Sequence, residues 1–241
     1  MITVNGHKIT PTIFPDKTSQ VWKIPDLVNK CKIIWEFEEE REIIDLLSLY
    51  KLLGSMGKEI VIHIPYLPYG RQDKEIDNYE TFNLKVFEDI ISLMDCKIWT
   101  LDCHGKPPRG VSNFNPIGHI HAAVKEADAD IIIYPDQGAY NRYHEFMGRF
   151  PYTFCEKTRD PMTGEINGLI VRKSSFTGYH RPIIVDDICD GGRTFIEVAK
   201  QVAPICPDLH LYVTHGIFSK GLAPLREAGI KRIFTHKGEV K

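Results

Sequence analysis

The chain predicts an α/β fold of two domains, each with a parallel sheet covered by helices on both faces. Three observations predict it. Strand and helix patterns alternate along most of the 241 residues, the grammar of strand–helix–strand units. The apolar runs end in polar tips, at Arg71-Gln72-Asp73, Asp102 with His104, Asp136, Asp186-Asp187 and His215. One segment rich in Gly, Pro and Asn, residues 105–118, interrupts the alternation and is the best linker, with a boundary near residue 116. Domains of residues 1–115 and 116–241 follow from it, each close to ordinary domain size.

In the first half, residues 40–54 carry Ile43, Ile44, Leu47 and Leu53 as a helical stripe that stops near Gly54. Ile60–Ile64 is a short β-rich run closed by Pro65. Residues 80–95 form a helix with Phe82, Val86, Phe87, Ile90 and Ile91 on one side, and the strand Lys97–Leu101 ends in a polar tip. In the second half come a short helix over 119–127, a buried strand over 130–136, a strand running into a glycine loop over 181–194, a helix over 195–203 and a strand over 210–218.

Composition bounds the partners. Lys plus Arg is 30 and Asp plus Glu is 32, a formal net charge of −2, so no strongly basic surface marks nucleic acid as a partner. No apolar run approaches the roughly 18 residues of a membrane span, and the amino terminus lacks a charged-then-apolar leader pattern. A cytoplasmic protein without a membrane partner is expected. The six cysteines are scattered and form no C-x-x-C pair, which predicts reduced thiols rather than a disulfide framework or a zinc site.

The strongest chemical signal is Ile183-Ile-Val-Asp-Asp-Ile-Cys-Asp-Gly-Gly-Arg-Thr194. A buried strand delivers Asp186 and Asp187; a loop then presents Asp190, Gly191, Gly192, Arg193 and Thr194 at a helix start. Successive N–H groups at a helix start hold a phosphate, and glycines let the backbone approach it. Paired carboxylates suit sugar hydroxyls or a metal bound to them. Two adjacent Asp at the end of an apolar strand are costly without a ligand or partner, which disfavours a plain strand–turn–helix connection. The pattern describes a pocket for a phosphorylated sugar. His119 and His121, two apart, sit in a helix-like segment and are read as structural.

This stretch resembles the phosphoribosyl-pyrophosphate-binding motif shared by type I phosphoribosyltransferases and ribose-phosphate diphosphokinases, the PRPP synthetases. Other segments separate the two. Pro65 to Lys74, Pro-Tyr-Leu-Pro-Tyr-Gly-Arg-Gln-Asp-Lys, resembles the synthetase ATP-site signature; Leu101-Asp102-Cys103-His104 its magnesium segment; Tyr134-Pro135-Asp136-Gln137-Gly138 its Pro-Asp-x-Gly loop. Glu156-Lys157-Thr158-Arg159 resembles its mobile catalytic Lys-x-Arg loop, and Thr214 to Ser219 its Thr-His-Gly segment. The matches come in the family's order, and a phosphoribosyltransferase would not need Arg71-Gln72-Asp73.

The resemblance implies two type I phosphoribosyltransferase-like, Rossmann-like domains, the first binding ATP and the second ribose phosphate. It implies magnesium-dependent transfer of the β,γ-diphosphate of ATP to the anomeric hydroxyl of ribose 5-phosphate, with AMP released, by a homo-oligomer of at least two chains. Under it Lys157 and Arg159 are catalytic, and Phe14, Asp16, Arg71, Gln72, Asp73 and His104 meet ATP. Asp186, Asp187, Asp190, Gly191, Gly192, Arg193 and Thr194 hold the ribose phosphate, and His104 and Asp136 hold magnesium.

The chain departs from the family in three ways. The opening strand and helix are missing, and the chain stops soon after the strand around Ile233. Phe14 to Thr18 sits in the register of the family's Phe-x-Asp-Gly-Glu, with Thr18 in place of a glutamate that helps hold adenine. The loop Asp-Gly-Gly-Arg-Thr replaces Asp-Thr-x-Gly-Thr, losing a hydroxyl at Gly191 and gaining a cation at Arg193. That exchange opens a second reading, in which the acceptor is ADP-ribose and the product feeds NAD synthesis. A non-catalytic regulatory relative of the synthetases is a third reading, which retention of Lys157, Arg159, His104, Asp136 and the sugar-phosphate motif disfavours.

Overall fold

The computed structural model describes residues 1–22, 24, 28–72, 81–159 and 166–241, with the side chains of 157–159, 166–168 and 173 outside the description. The chain divides into two compact units, Met1–Asn115 and Pro116–Lys241.

The first unit opens with β1 (Ile2–Val4) and β2 (His7–Ile9), a small hairpin of β3 (Thr12–Ile13) and β4 (Ser19–Gln20), and β5 (Lys30–Trp35). Then follow α1 (Glu42–Ser55), β6 (Glu59–Ile64), α2 (Asn83–Ile91), β7 (Lys97–Leu101) and β8 (Val111–Phe114). The sheet order is β2-β1-β5-β6-β7-β8. β5 to β8 run parallel, while β1 is antiparallel to both its neighbours. Alternation along the strands aims Cys31, Ile33 and Trp35 of β5 and Ile60, Ile62 and Ile64 of β6 into one core with the two helices. The intervening Lys32, Ile34 and His63 of the same strands are not fully buried. The described helices of this unit thus share a single core with the sheet, not two.

Both helical stripes match the expectation only in part: Leu53, Phe87 and Ile91 are buried and Ile43, Leu47 and Phe82 pack partly buried against the core, but the rest differs. In α1 the buried apolar residues are Leu46, Leu49 and Leu53, and Ile44 is 57% exposed. The reason is polar anchoring at the amino end, where Glu42 and Asp45 are themselves buried. Glu42 accepts from the Trp35 indole at 3.0 Å, and Asp45 accepts from the Ser19 hydroxyl. In α2 the buried residues are Leu84, Phe87 and Ile91, the same three-then-four spacing, and Val86 is 54% exposed. The expected linker 105–118 contains β8, a strand of the sheet edge in parallel register with β7. Its sequence, Val-Ser-Asn-Phe, has too little apolar patterning to read as a strand.

The second unit contains α3 (Ile117–Glu126), β9 (Ile131–Tyr134), α4 (Gln137–Tyr143), β10 (Tyr152–Phe154), β11 (Glu156–Arg159) and β12 (Ile166–Ile170). It continues with β13 (Pro182–Cys189), α5 (Arg193–Val202), β14 (Leu209–Gly216), α6 (Ala223–Glu227), β15 (Ile230–Thr235) and β16 (Gly238–Val240). The sheet order is β10-β9-β13-β14-β15-β16, parallel except for β16. This sheet is covered on both faces. Ile133, Ile184, Leu211 and Val213 pack with Phe195, Val198 and Val202 of α5. Ile132, Tyr134, Ile183, Val185 and Tyr212 pack with Ile120 and Val124 of α3 and Ala139 and Tyr143 of α4. Strands buried on both faces read as continuous apolar runs, as β9 and the start of β13 do. All six cysteines are free thiols. Among the described residues no helix is long and apolar enough to cross a membrane.

Candidate active site

In the second unit the carboxyl ends of parallel strands converge, where ligands of open α/β sheets bind. β13 carries Asp186 and Asp187 inside the strand; Asp187 is 5% exposed. The Asp186 Oδ1 accepts from the Asp187 backbone N–H at 2.9 Å. Burial, then Asp187, then Asp136 hold the Asp186 carboxyl well above the usual carboxylate range. Across from it, Arg142 of α4 lies 3.4 Å from Asp187 Oδ2. Sequence reading passed over Arg142; its signal was a lone cation one helical turn and a half after Asp136, on the helix that follows the Pro-Asp-x-Gly loop.

Asp136 caps α4, its Oδ1 accepting from Ala139 N–H at 3.0 Å. It lines a cavity of about 450 Å³ with Gln137, Gly138, Phe154, Cys155 and Glu156. Cys155 and Cys189 are buried, and burial first, with nearby Asp136 for the one and Asp190 and Asp186 for the other, pushes each thiol up to about 12. They are packing residues, not nucleophiles.

Beyond β13 the chain turns through Asp190-Gly191-Gly192 into α5. Gly192 precedes the helix with φ +74°, and a Cβ there would lie 3.0 Å from Leu225 Cδ2, so glycine fits and larger residues do not. The first N–H groups of α5 have no intrahelical partner by construction and face the loop. Arg193 begins α5, and its side chain is 91% exposed and ion-paired along the helix to Glu197 at 2.9 Å. The loop after β14 closes the other side. Ile217 N–H and Phe218 N–H both donate to Cys189 O, at 2.8 and 3.1 Å.

Lys157 and Arg159 fall on β11, which pairs antiparallel with β12. A polar mobile loop was the expectation; a strand of a two-stranded ribbon is found, and both side chains lie outside the described residues.

In the first unit Arg71 and Gln72 follow β6, and His104 follows β7, all three exposed. β6 and β7 are parallel neighbours, so these residues share one sheet edge. A turn with Gln72 N–H donating to Tyr69 O at 2.8 Å sets the first pair. Asp73 lies outside the described residues. Phe14 and Asp16 sit on the separate β3–β4 hairpin. Asp16 Oδ1 accepts from the Thr18 hydroxyl at 2.7 Å and its N–H at 3.0 Å, which lowers the Asp16 pKa. Thr18 is thus occupied in shaping its own turn.

A divalent cation fits the donors of the second unit. Asp136 and Asp186 are hard oxygen donors, Asp136 lying near enough to help raise the Asp186 carboxyl, and magnesium takes one or two carboxylates alongside water and phosphate oxygens. Among the described residues no group of three or more His, Cys, Asp or Glu is arranged to hold a metal ion.

The fold and site define a class first: a two-unit α/β protein in which a strand delivers a carboxylate pair to a glycine loop and a helix start. No family model matches the chain. It is 26% identical over 249 residues to a ribose-phosphate pyrophosphokinase of Saccharolobus solfataricus, covering 94% of this chain and 82% of that one. It is 25% identical over 251 residues to the ribose-phosphate pyrophosphokinase of Sulfurisphaera tokodaii, covering 98% and 86%. Its fold superposes on the crystal structure of phosphoribosylpyrophosphate synthetase from Mycobacterium smegmatis with a TM-score of 0.74 and 20% identity, over 95% of this chain and 79% of that one. The chain is thus similar along nearly its whole length to ribose-phosphate pyrophosphokinases, and its fold is that of the synthetase structure.

Proposed function

We propose that the protein transfers the β,γ-diphosphate of ATP to the anomeric hydroxyl of ribose 5-phosphate, giving phosphoribosyl pyrophosphate and AMP. The observation that carries this reading is the Asp186–Asp187 pair directly before the Gly191–Gly192 loop on β13, in a chain similar along nearly its whole length to ribose-phosphate pyrophosphokinases.

Asp186 and Asp187 accept hydrogen bonds from the ribose hydroxyls, and Asp190 to Thr194 cradle the 5-phosphate. Arg71, Gln72 and Asp73 bind the nucleotide, with Phe14 and Asp16 at its adenine end. The anomeric oxygen attacks the β-phosphorus; the new C1–O–Pβ bond forms as the bond from Pβ to the bridging oxygen breaks, and AMP leaves with that oxygen. The hydroxyl proton passes to solvent or a nearby base. Such a transfer needs positioning and charge stabilisation more than covalent chemistry, the work assigned to Lys157 and Arg159. His104 and Asp136 would hold magnesium, which when bound neutralises phosphate charge.

A second reading has ADP-ribose as the acceptor. The exposed Arg193 guanidinium, next to the glycines in sequence, favours it, because an added cation suits a second phosphate on the acceptor. Incubation with ATP and magnesium, with each acceptor separately and AMP followed by chromatography, tests both. AMP formed with ribose 5-phosphate supports the first reading, AMP with ADP-ribose alone the second, and AMP with neither overturns both.

A further inference from the structure

The loop Asp190-Gly191-Gly192 offers backbone donors but little side chain, and Arg193, the cation in its sequence, turns along α5 to Glu197. Another cation occupies the space. A Cβ built on Gly191 would lie 3.6 Å from Lys220 Cε, 3.7 Å from Lys220 Cδ and 4.0 Å from Ser219 Oγ. The side-chain stem of Lys220 therefore crosses the face of Gly191, where the family motif carries a threonine.

The backbone that delivers Lys220 is fixed. Ile217 and Phe218 are tied to Cys189 O by two N–H bonds, and Gly221 N–H donates to Phe218 O at 2.7 Å. Phe218 has φ +48° and packs its ring on Gly216, where a Cβ would lie 2.0 Å from the ring, so only glycine fits there. Ser219 and Lys220 form the tip of this turn. Lys220 is exposed, and no ion pair of its ammonium appears among the described residues. An ammonium held over a helix start and a glycine loop is placed for a phosphate.

We infer that Lys220, assisted by Ser219, binds the 5-phosphate of the acceptor, replacing from the loop after β14 the side chain that Gly191 lacks. This rests on the reading that the acceptor is a ribose 5-phosphate compound. It makes Lys220, not Arg193, the cation that sets affinity for the phosphate.

Titration calorimetry of the full chain with ribose 5-phosphate, ADP-ribose and ATP tests it. Lys220→Ala and Lys220→Gln raise the Kd for the acceptor about tenfold, as loss of a charge-assisted contact does. They leave the Kd for ATP and the thermal midpoint unchanged. Lys200→Ala, an exposed cation at the far end of α5, changes neither. Adding Gly191→Thr to Lys220→Ala restores part of the lost affinity, because the Gly191 position admits a side chain at ordinary contact distance once Lys220 is trimmed. Acceptor binding within twofold of wild type in Lys220→Ala overturns the inference, as does a larger loss from Arg193→Ala. A wild-type protein that binds ATP but neither acceptor overturns the acceptor reading itself and the inference with it, a failure visible before any variant is made.

Discussion

Asp186 shows how a residue proposed to bind the acceptor can stand against its own fold. Burial and the neighbouring Asp187 and Asp136 hold its carboxyl well above the ordinary 3.8. Between the ordinary and the raised value the folded protein holds a proton that the unfolded chain has released. Stability therefore falls as pH rises through that window. Asp186→Asn removes the cost: its thermal midpoint at neutral pH is expected a few degrees above wild type and less dependent on pH, while acceptor binding is lost. Equal midpoints across the pH range contradict this. Arg142 offsets the second carboxylate. Arg142→Met leaves Asp187 buried without its cation and is expected to cost about 2 kcal/mol, less than the ~3–5 of a fully buried pair because Arg142 is partly exposed. Asp187→Asn in the same background restores most of it, measured by denaturant titration. Cys155 and Cys189, with thiols near 12, should resist thiol reagents at neutral pH in the folded protein and react only on unfolding.

At the scale of elements, polar anchors decide what apolar pattern alone leaves open. The strands β6, β7, β9, β13 and β14 were legible because apolar runs closed by polar or proline residues admit few other readings. The stripes of α1 and α2 were legible only in part, at Leu53, Phe87 and Ile91. In α1 the buried stripe begins at Glu42 and Asp45, and no scale of hydrophobicity places carboxylates in a core. Glu42 carries that anchor. Burial raises its pKa, but the amino terminus, the Trp35 indole and the Glu38 N–H lower it further, leaving it below the ordinary 4.5. A depressed folded pKa contributes stability above the unfolded value and loses it as pH falls through the folded one. Glu42→Gln should thus lower stability at neutral pH by about 1–3 kcal/mol, the range for a buried charged hydrogen-bond acceptor. The deficit relative to wild type should shrink as pH drops below about 4.5, followed by Trp fluorescence. The short strands β8, β10, β11 and β12 were missed for another reason. They are edge or ribbon strands of three to five residues, made by pairing rather than by pattern.

At the scale of the molecule, the strand, glycine loop and helix start around Asp186 to Thr194 were legible, because two carboxylates, two glycines and a helix start leave a contiguous trace. The cation beside that loop was not. Arg193 adjoins the glycines in sequence but turns away, whereas Lys220, some thirty residues on, arrives through the parallel pairing of β13 with β14. Non-local contacts of this kind follow from topology rather than from sequence spacing. The same holds for Arg142 and Asp187, joined across α4 and β13.

The central claim is diphosphoryl transfer to a ribose 5-phosphate acceptor, and phosphorus NMR of a single reaction tests it most directly. With ATP, magnesium and ribose 5-phosphate, AMP and a diphosphate ester on the anomeric carbon should grow together in equal amounts, and the ester should be absent in Asp186→Asn. ADP in place of AMP, or AMP that appears without acceptor and without a diphosphate ester, would contradict it.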